Sequence, residues 1–203
     1  MNWATWFAVI SICLLGAMSP GPSLALVLKH TLNGGRRQGM VAGFAHGIGI
    51  GIYALATVLG IAALLAASPA AFTLVQWAGA LFLAYLGVKG LMAARAGWQN
   101  TTSETQATNS TAARNGFLMA CLNPYAAIFF LALFSQFISA NTPFQVKMLY
   151  AITAIVIDMG WYMAVAWFFS RPLWLARLQH YTPWLERVFS IALLGFAVKL
   201  VLA

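Results

Sequence analysis

No charged side chain interrupts the chain from Met1 to Leu28, and none interrupts it from Gln38 to Val88. A water-facing fold cannot be built on such runs. Soluble domains carry roughly 25% charged residues, because their outer surface must stay wet. Here 7% are charged and 62% are hydrophobic. Eleven Lys or Arg and three Asp or Glu cannot coat a folded chain of 203 residues. The surface therefore faces lipid, and the chain reads as an all-α membrane protein of one domain, 1–203.

A spanning helix needs about 20 mostly apolar residues. Breaks at KHTLNGGRRQ (Lys29–Gln38), Ser68-Pro69, Asn141-Thr142-Pro143 and the Arg171 region divide the apolar stretches. The spans expected are about 3–28, 40–67, 70–92, 116–139, 148–170 and 184–202. A polar, Thr-rich linker over 95–114 separates the first three from the last three. The expected architecture is six transmembrane helices as 3+3, with the first and fourth broken by proline.

The net charge of +8 would suggest nucleic acid in a soluble domain, but here position decides. Lys29, Arg36, Arg37, Lys89, Arg95, Arg114, Arg171, Arg177 and Arg187 fall at the odd loops, and only Lys147 and Lys199 fall on the other side. Basic loops stay in the cytoplasm. Both termini are therefore expected outside, and no nucleic-acid partner is implied.

Several features carry chemistry. Ser19, Pro20, Gly21, Pro22 and Ser23 lie deep in the first span, where two prolines and a glycine cannot continue a regular helix. Such a break is either a tolerated kink or a place where half-helix ends and free carbonyls meet a substrate. A second break, Asn123-Pro124, lies in the fourth span. Pro20 precedes Leu28 by eight residues and Pro124 follows Gly116 by eight, which puts the two breaks at similar depth. Asn123 can hydrogen-bond an amino or carboxylate group, or the carbonyls that Pro124 frees.

In the second span Gly39, Gly43, Gly47 and Gly51 recur every fourth residue, a stripe that lets another helix approach closely, within the chain or in a dimer. His46 lies beside it, fit either to relay a proton or to pack. Asp158 is the one acid inside an apolar run; Glu104 and Glu186 fall in the linker and at a helix end. An intramembrane carboxyl is a functional candidate by default. It can carry a proton, hold a substrate ammonium, or bond a neighbouring helix. Cys13 and Cys121 lie in apolar runs without a CxxC, so neither a disulfide framework nor a metal site is implied, and no cofactor is expected.

SPGP in the first span, GGRRQG before the glycine-rich second, NPYAAIFFLALFSQF in the fourth and DMGWY in the fifth resemble the LysE/RhtB superfamily of bacterial amino-acid exporters. The resemblance covers essentially the whole chain. It implies a secondary carrier of the bacterial inner membrane that exports amino acids or related metabolites in exchange for protons. Pro20, Gly21, Pro22, Gly35, Arg36, Gly39, Asn123, Pro124 and Asp158 match the family pattern. Tyr125 stands where the family usually has lysine, and Ser23 where it often has Asn or Asp.

On this reading Ser19, Pro20, Gly21, Pro22, Ser23, Asn123 and Pro124 shape the substrate site, and Asp158 with His46 couples the proton. The partners are then a small amino acid, protons and membrane lipid. The alternative is a transmembrane thiol/disulfide electron carrier that uses Cys13 and Cys121. An intramembrane enzyme is disfavoured: the chain has no GxSG and no cluster of aspartates.

Overall fold

The computed structural model describes residues 3–19, 21–93, 108–139 and 141–171, with scattered positions between 180 and 198. Across them the chain folds into helices, with no strand among the described residues. The helices are α1 (Trp3–Met18), α2 (Pro22–Ala67), α3 (Pro69–Ala93), α4 (Asn109–Cys121), α5 (Pro124–Phe137) and α6 (Phe144–Phe169). Three stretches are long and apolar enough to cross a membrane: Pro22–Ile61, Ala70–Lys89 and Phe144–Phe169. The pair Asn109–Cys121 and Tyr125–Phe137, bent by 53°, makes a fourth if taken as one span. Pro20, residues 95–107 of the expected linker and about half of the expected span 184–202 lie outside the described residues.

α2 organises the molecule. Its 46 residues would extend about 70 Å if straight, more than twice the roughly 30 Å of hydrocarbon in a bilayer. It does not stay straight. Gly35, at φ 77° and ψ 175°, leaves the helical region and divides α2 into two limbs. A side chain rarely tolerates that backbone conformation, so glycine is required here. Ser23 and His46, 23 residues apart, would be about 35 Å apart on one axis, yet their side chains are hydrogen-bonded. The limbs therefore fold back on each other. Lys29–Gln38, expected as a loop, is helical except at Gly35. Polar side chains do not stop a helix; the positive φ does.

The glycine stripe sets the central packing. A Cβ on Gly39 would lie 2.9 Å from that of Ala166, on Gly43 2.9 Å from that of Tyr162, and on Gly47 2.7 Å from that of Met159. The α2 numbers rise as the α6 numbers fall, so the second limb and α6 run antiparallel. Only hydrogen at these positions lets the backbones come so close. Gly49 faces the other way, where a Cβ would lie 2.6 Å from that of Ala120 in α4. The second limb is thus clamped between α6 and α4.

α1 runs alongside α6, with Trp6 Nε1 donating to Thr153 Oγ1 at 3.1 Å. α3 lies on α5, where Gln76 Nε2 donates to the Ser135 carbonyl at 3.0 Å. α4 begins within the segment expected as linker: Thr108 caps it, its Oγ1 accepting from Thr111 N at 3.2 Å. Two apolar clusters result. One gathers Val9, Cys13, Ile50, Ala54 and Phe134; the other gathers Leu24, Val27, Tyr162 and Val165 around the first limb.

Candidate functional site

Between the two clusters lies a polar seam. α1 ends at Met18, and α2 begins only at Pro22, whose missing N–H costs nothing at the first helical position. Gly21 is the extended cap before it, and its carbonyl accepts from Ala25 N at 3.0 Å. Ser23 is the next residue after Pro22, so the start of this helix fixes its position. Its Oγ lies 2.9 Å from His46 Nε2 on the second limb. His46 Nδ1 in turn lies 2.7 Å from Asp158 Oδ2 on α6.

Three polar side chains from three helical segments thus form one hydrogen-bonded line. Ser23, His46 and Asp158 are only 7%, 2% and 7% exposed, so each needs the others as partners. Tyr162, one turn beyond Asp158 and 4% exposed, closes the group, its ring edge-on to His46 at 4.8 Å between centroids.

Each bond has a defined direction. An ionised Asp158 accepts from Nδ1–H. Nε2 then accepts from the Ser23 hydroxyl when the ring is neutral, and donates to it when the ring is doubly protonated. The ring can therefore pass a proton between its two sides without moving.

The second interruption is built differently. Asn123 caps α5, its Oδ1 accepting from Tyr125 N at 3.0 Å and Ala126 N at 3.4 Å. The carbonyl half of its amide is thus committed to the helix, and Pro124 occupies the first position of α5. Asn123 does not join the Ser23–His46–Asp158 line. A Cβ on Gly16 would lie 2.8 Å from the Phe129 ring, which marks where α1 passes α5. Ser19 itself ends the α1 turn, its N–H donating to the Gly16 carbonyl at 3.3 Å.

One contact escaped sequence reasoning. Lys89 reads as an orientation mark, yet its Nζ donates to Tyr125 Oη at 3.0 Å and lies 4.9 Å from the centre of that ring. α3 thus brings an ammonium to the first turn of α5. Tyr162 stands four residues after Asp158, and that spacing alone puts the two on one helix face. Arg36 stacks on Trp167 at 4.0 Å and donates to Ser170 Oγ at 3.3 Å, which pins the Gly35 turn to the end of α6. Cys13 and Cys121 are both free thiols. Among the described residues no three His, Cys, Asp or Glu side chains come together as a metal site.

Comparison with known proteins decides the family. The model of the LysE type translocators matches residues 14–203. The chain belongs to that family. The translocator is 33% identical over 160 residues to a homoserine/homoserine lactone efflux protein of Salmonella typhimurium (strain LT2), a match covering 78% of this chain and 77% of the relative. It is 30% identical over 141 residues to a leucine efflux protein of Salmonella choleraesuis, covering 70% of this chain and 65% of that one. An uncharacterized membrane protein of Vibrio cholerae is 30% identical over 159 residues, covering 78% and 77%. No solved structure matches. The translocator is thus a multi-pass membrane protein of an exporter family, and the apolar lengths of its helices agree with that.

Proposed function

We propose that the translocator exports small amino acids or closely related metabolites from the bacterial cytoplasm across the inner membrane, in exchange for protons. The observation that carries this reading is the Ser23–His46–Asp158 line. A carboxyl and an imidazole, bonded to each other in the interior of a membrane protein, are expensive to keep unless they do something. A transferable proton is what such a pair offers. Its hydroxyl end starts at the α1–α2 interruption, so proton and substrate are coupled through Ser23.

The substrate lies between the two interruptions. Ser19, Ser23 and the backbone of Gly21 and Pro22, in the Pro20-containing interruption, form one wall, with Asn123, ahead of Pro124 in sequence, facing it. Lys89, held on Tyr125, supplies the positive charge that draws a carboxylate toward that site. The relatives named for homoserine and leucine efflux support a small substrate whose side chain is uncharged. Six spans in a 3+3 order place the basic loops in the cytoplasm and the termini outside. Exposed apolar side chains such as Phe7, Leu74, Leu81 and Val156 meet lipid.

The test uses proteoliposomes loaded with radiolabelled L-homoserine or L-leucine under an imposed pH gradient. Wild-type protein is expected to drive efflux that collapses when a protonophore dissipates the gradient. Asp158→Asn, which keeps the shape and removes the charge, is expected to lower gradient-driven efflux at least tenfold. Full gradient dependence in Asp158→Asn would refute the coupling role. No observation favours the thiol-carrier alternative.

A further inference from the structure

We infer that Ser23 reads the proton for the substrate: its hydroxyl reverses hydrogen-bond direction when the His46–Asp158 pair gains a proton, so the protein alternates between preferring an ammonium and preferring a carboxylate at that point. The inference rests on the antiport reading above and adds the step by which proton and substrate exclude or select each other.

The argument follows from counting hydrogens. A serine hydroxyl has one hydrogen to donate and two lone pairs to accept with. Nδ1 and Oδ2, 2.7 Å apart, share one hydrogen. In the deprotonated pair that hydrogen belongs to Nδ1, and Nε2 is a bare lone pair 2.9 Å from Ser23 Oγ. Only the serine hydrogen can fill that bond. Ser23 then has lone pairs alone to offer the α1–α2 interruption, and those suit a donor such as an ammonium.

Adding one proton gives two arrangements. Either the ring is doubly protonated beside a carboxylate, or Asp158 holds the proton and donates to Nδ1, which moves the ring's own hydrogen to Nε2. Both put N–H on Nε2, pointing at Ser23. The outcome at the serine is thus the same whichever partner nominally owns the proton, as coupled sites require. The Ser23 hydrogen is released, and the hydroxyl can donate to a carboxylate. One proton inverts the polarity that the site presents.

Among the described residues, the other titratable side chains near this junction are these. From α6, Tyr162 lies edge-on to His46. From α1, Cys13 is buried in the neighbouring apolar cluster. From α4, Cys121 comes close to the second limb one turn on, at Gly49. On α5, Tyr125 is engaged with Lys89. None of these places a fixed charge at the bond between Ser23 and His46.

The test separates the two ends of an amino acid. L-leucine, isoamylamine (its ammonium without the carboxylate) and hydroxyisocaproate (its carboxylate without the ammonium) are titrated calorimetrically into the purified full-length protein, from mildly alkaline to mildly acid pH. The ratio of amine affinity to hydroxy-acid affinity is expected to fall about tenfold or more on acidification, since a hydrogen bond to a charged group is gained on one side and lost on the other. Ser23→Ala is expected to flatten the ratio, whereas Ser23→Thr, which keeps the hydroxyl, and Tyr162→Phe, which keeps the ring, retain its slope. A flat ratio in the wild type, or a slope that survives Ser23→Ala, overturns the inference. Gradient-driven efflux measured on the same preparation tells the two failures apart. If efflux persists while the ratio is flat, only the polarity reversal falls. If efflux ignores the gradient, or if none of the three compounds binds at any pH, the antiport reading falls with it.

Discussion

His46→Ala is the most informative single change. His46 stands between two partners, 2.7 Å from Asp158 Oδ2 and 2.9 Å from Ser23 Oγ. Ser23→Ala removes only the outer hydroxyl and is expected to cost about 1 kcal/mol, the worth of one ordinary hydrogen bond. His46→Ala leaves the Asp158 carboxyl, 7% exposed, without its ring partner. Breaking a buried pair by removing one member costs about 3–5 kcal/mol, and the space left by the ring adds to this. Replacing both members with apolar residues, as in His46→Leu with Asp158→Leu, removes the orphaned group and is expected to recover all but about 1 kcal/mol. The measurement is reversible unfolding in mixed micelles of the wild type, Ser23→Ala, His46→Ala, His46→Leu, Asp158→Leu and the double Leu variant, so that the double-mutant coupling is obtained directly. Equal costs for Ser23→Ala and His46→Ala would refute the reasoning, because Asp158 would then not depend on the ring.

Further predictions concern the frame and the thiols. Gly47→Ala puts a methyl 2.7 Å from Met159 Cβ and 3.1 Å from its Cα, so α6 must move; a loss of about 1–3 kcal/mol is expected by the same unfolding assay. Gly160→Ala, with nothing within 4 Å of the added carbon, is the control and should be neutral or slightly stabilising. Gly35→Ala meets no atom within 4 Å either, yet φ 77° with ψ 175° should cost about 1–3 kcal/mol, visible as a lowered melting temperature. Cys13→Ser combined with Cys121→Ser is expected to keep gradient-driven efflux; its loss would revive the redox reading.

Apolar run lengths made the helical membrane class legible, and the spacing of Gly39, Gly43 and Gly47 made a close helix approach legible. The location of the turn was not. KHTLNGGRRQ looks like a loop because it is polar, but at the edge of a membrane a polar segment can stay helical, and only the backbone at Gly35 bends it. His46 and Asp158 each stood out, as an ionisable group in an apolar run. Their meeting depends on the register of two helices 112 residues apart, which no local pattern encodes. The Gly47–Met159 contact brings the two helices together at that level, with His46 and Asp158 each one residue from it. Asn123 shows the converse. A polar side chain beside a proline break looks like a ligand, while its oxygen caps the helix that the proline starts.

The turn at Gly35 also has a consequence for biosynthesis. Ser23 and His46 lie on one hairpin and leave the ribosome within seconds of each other. Asp158 follows His46 by 112 residues, roughly 6–20 s later at ordinary rates of translation. The hairpin therefore enters the membrane with histidine and serine already able to satisfy each other. The acid, which lipid tolerates poorly without a partner, is the last of the three to be made, when His46 is already in place. Reversing that order would leave a bare carboxyl waiting in the bilayer. Placing the aspartate on the late helix protects the nascent chain.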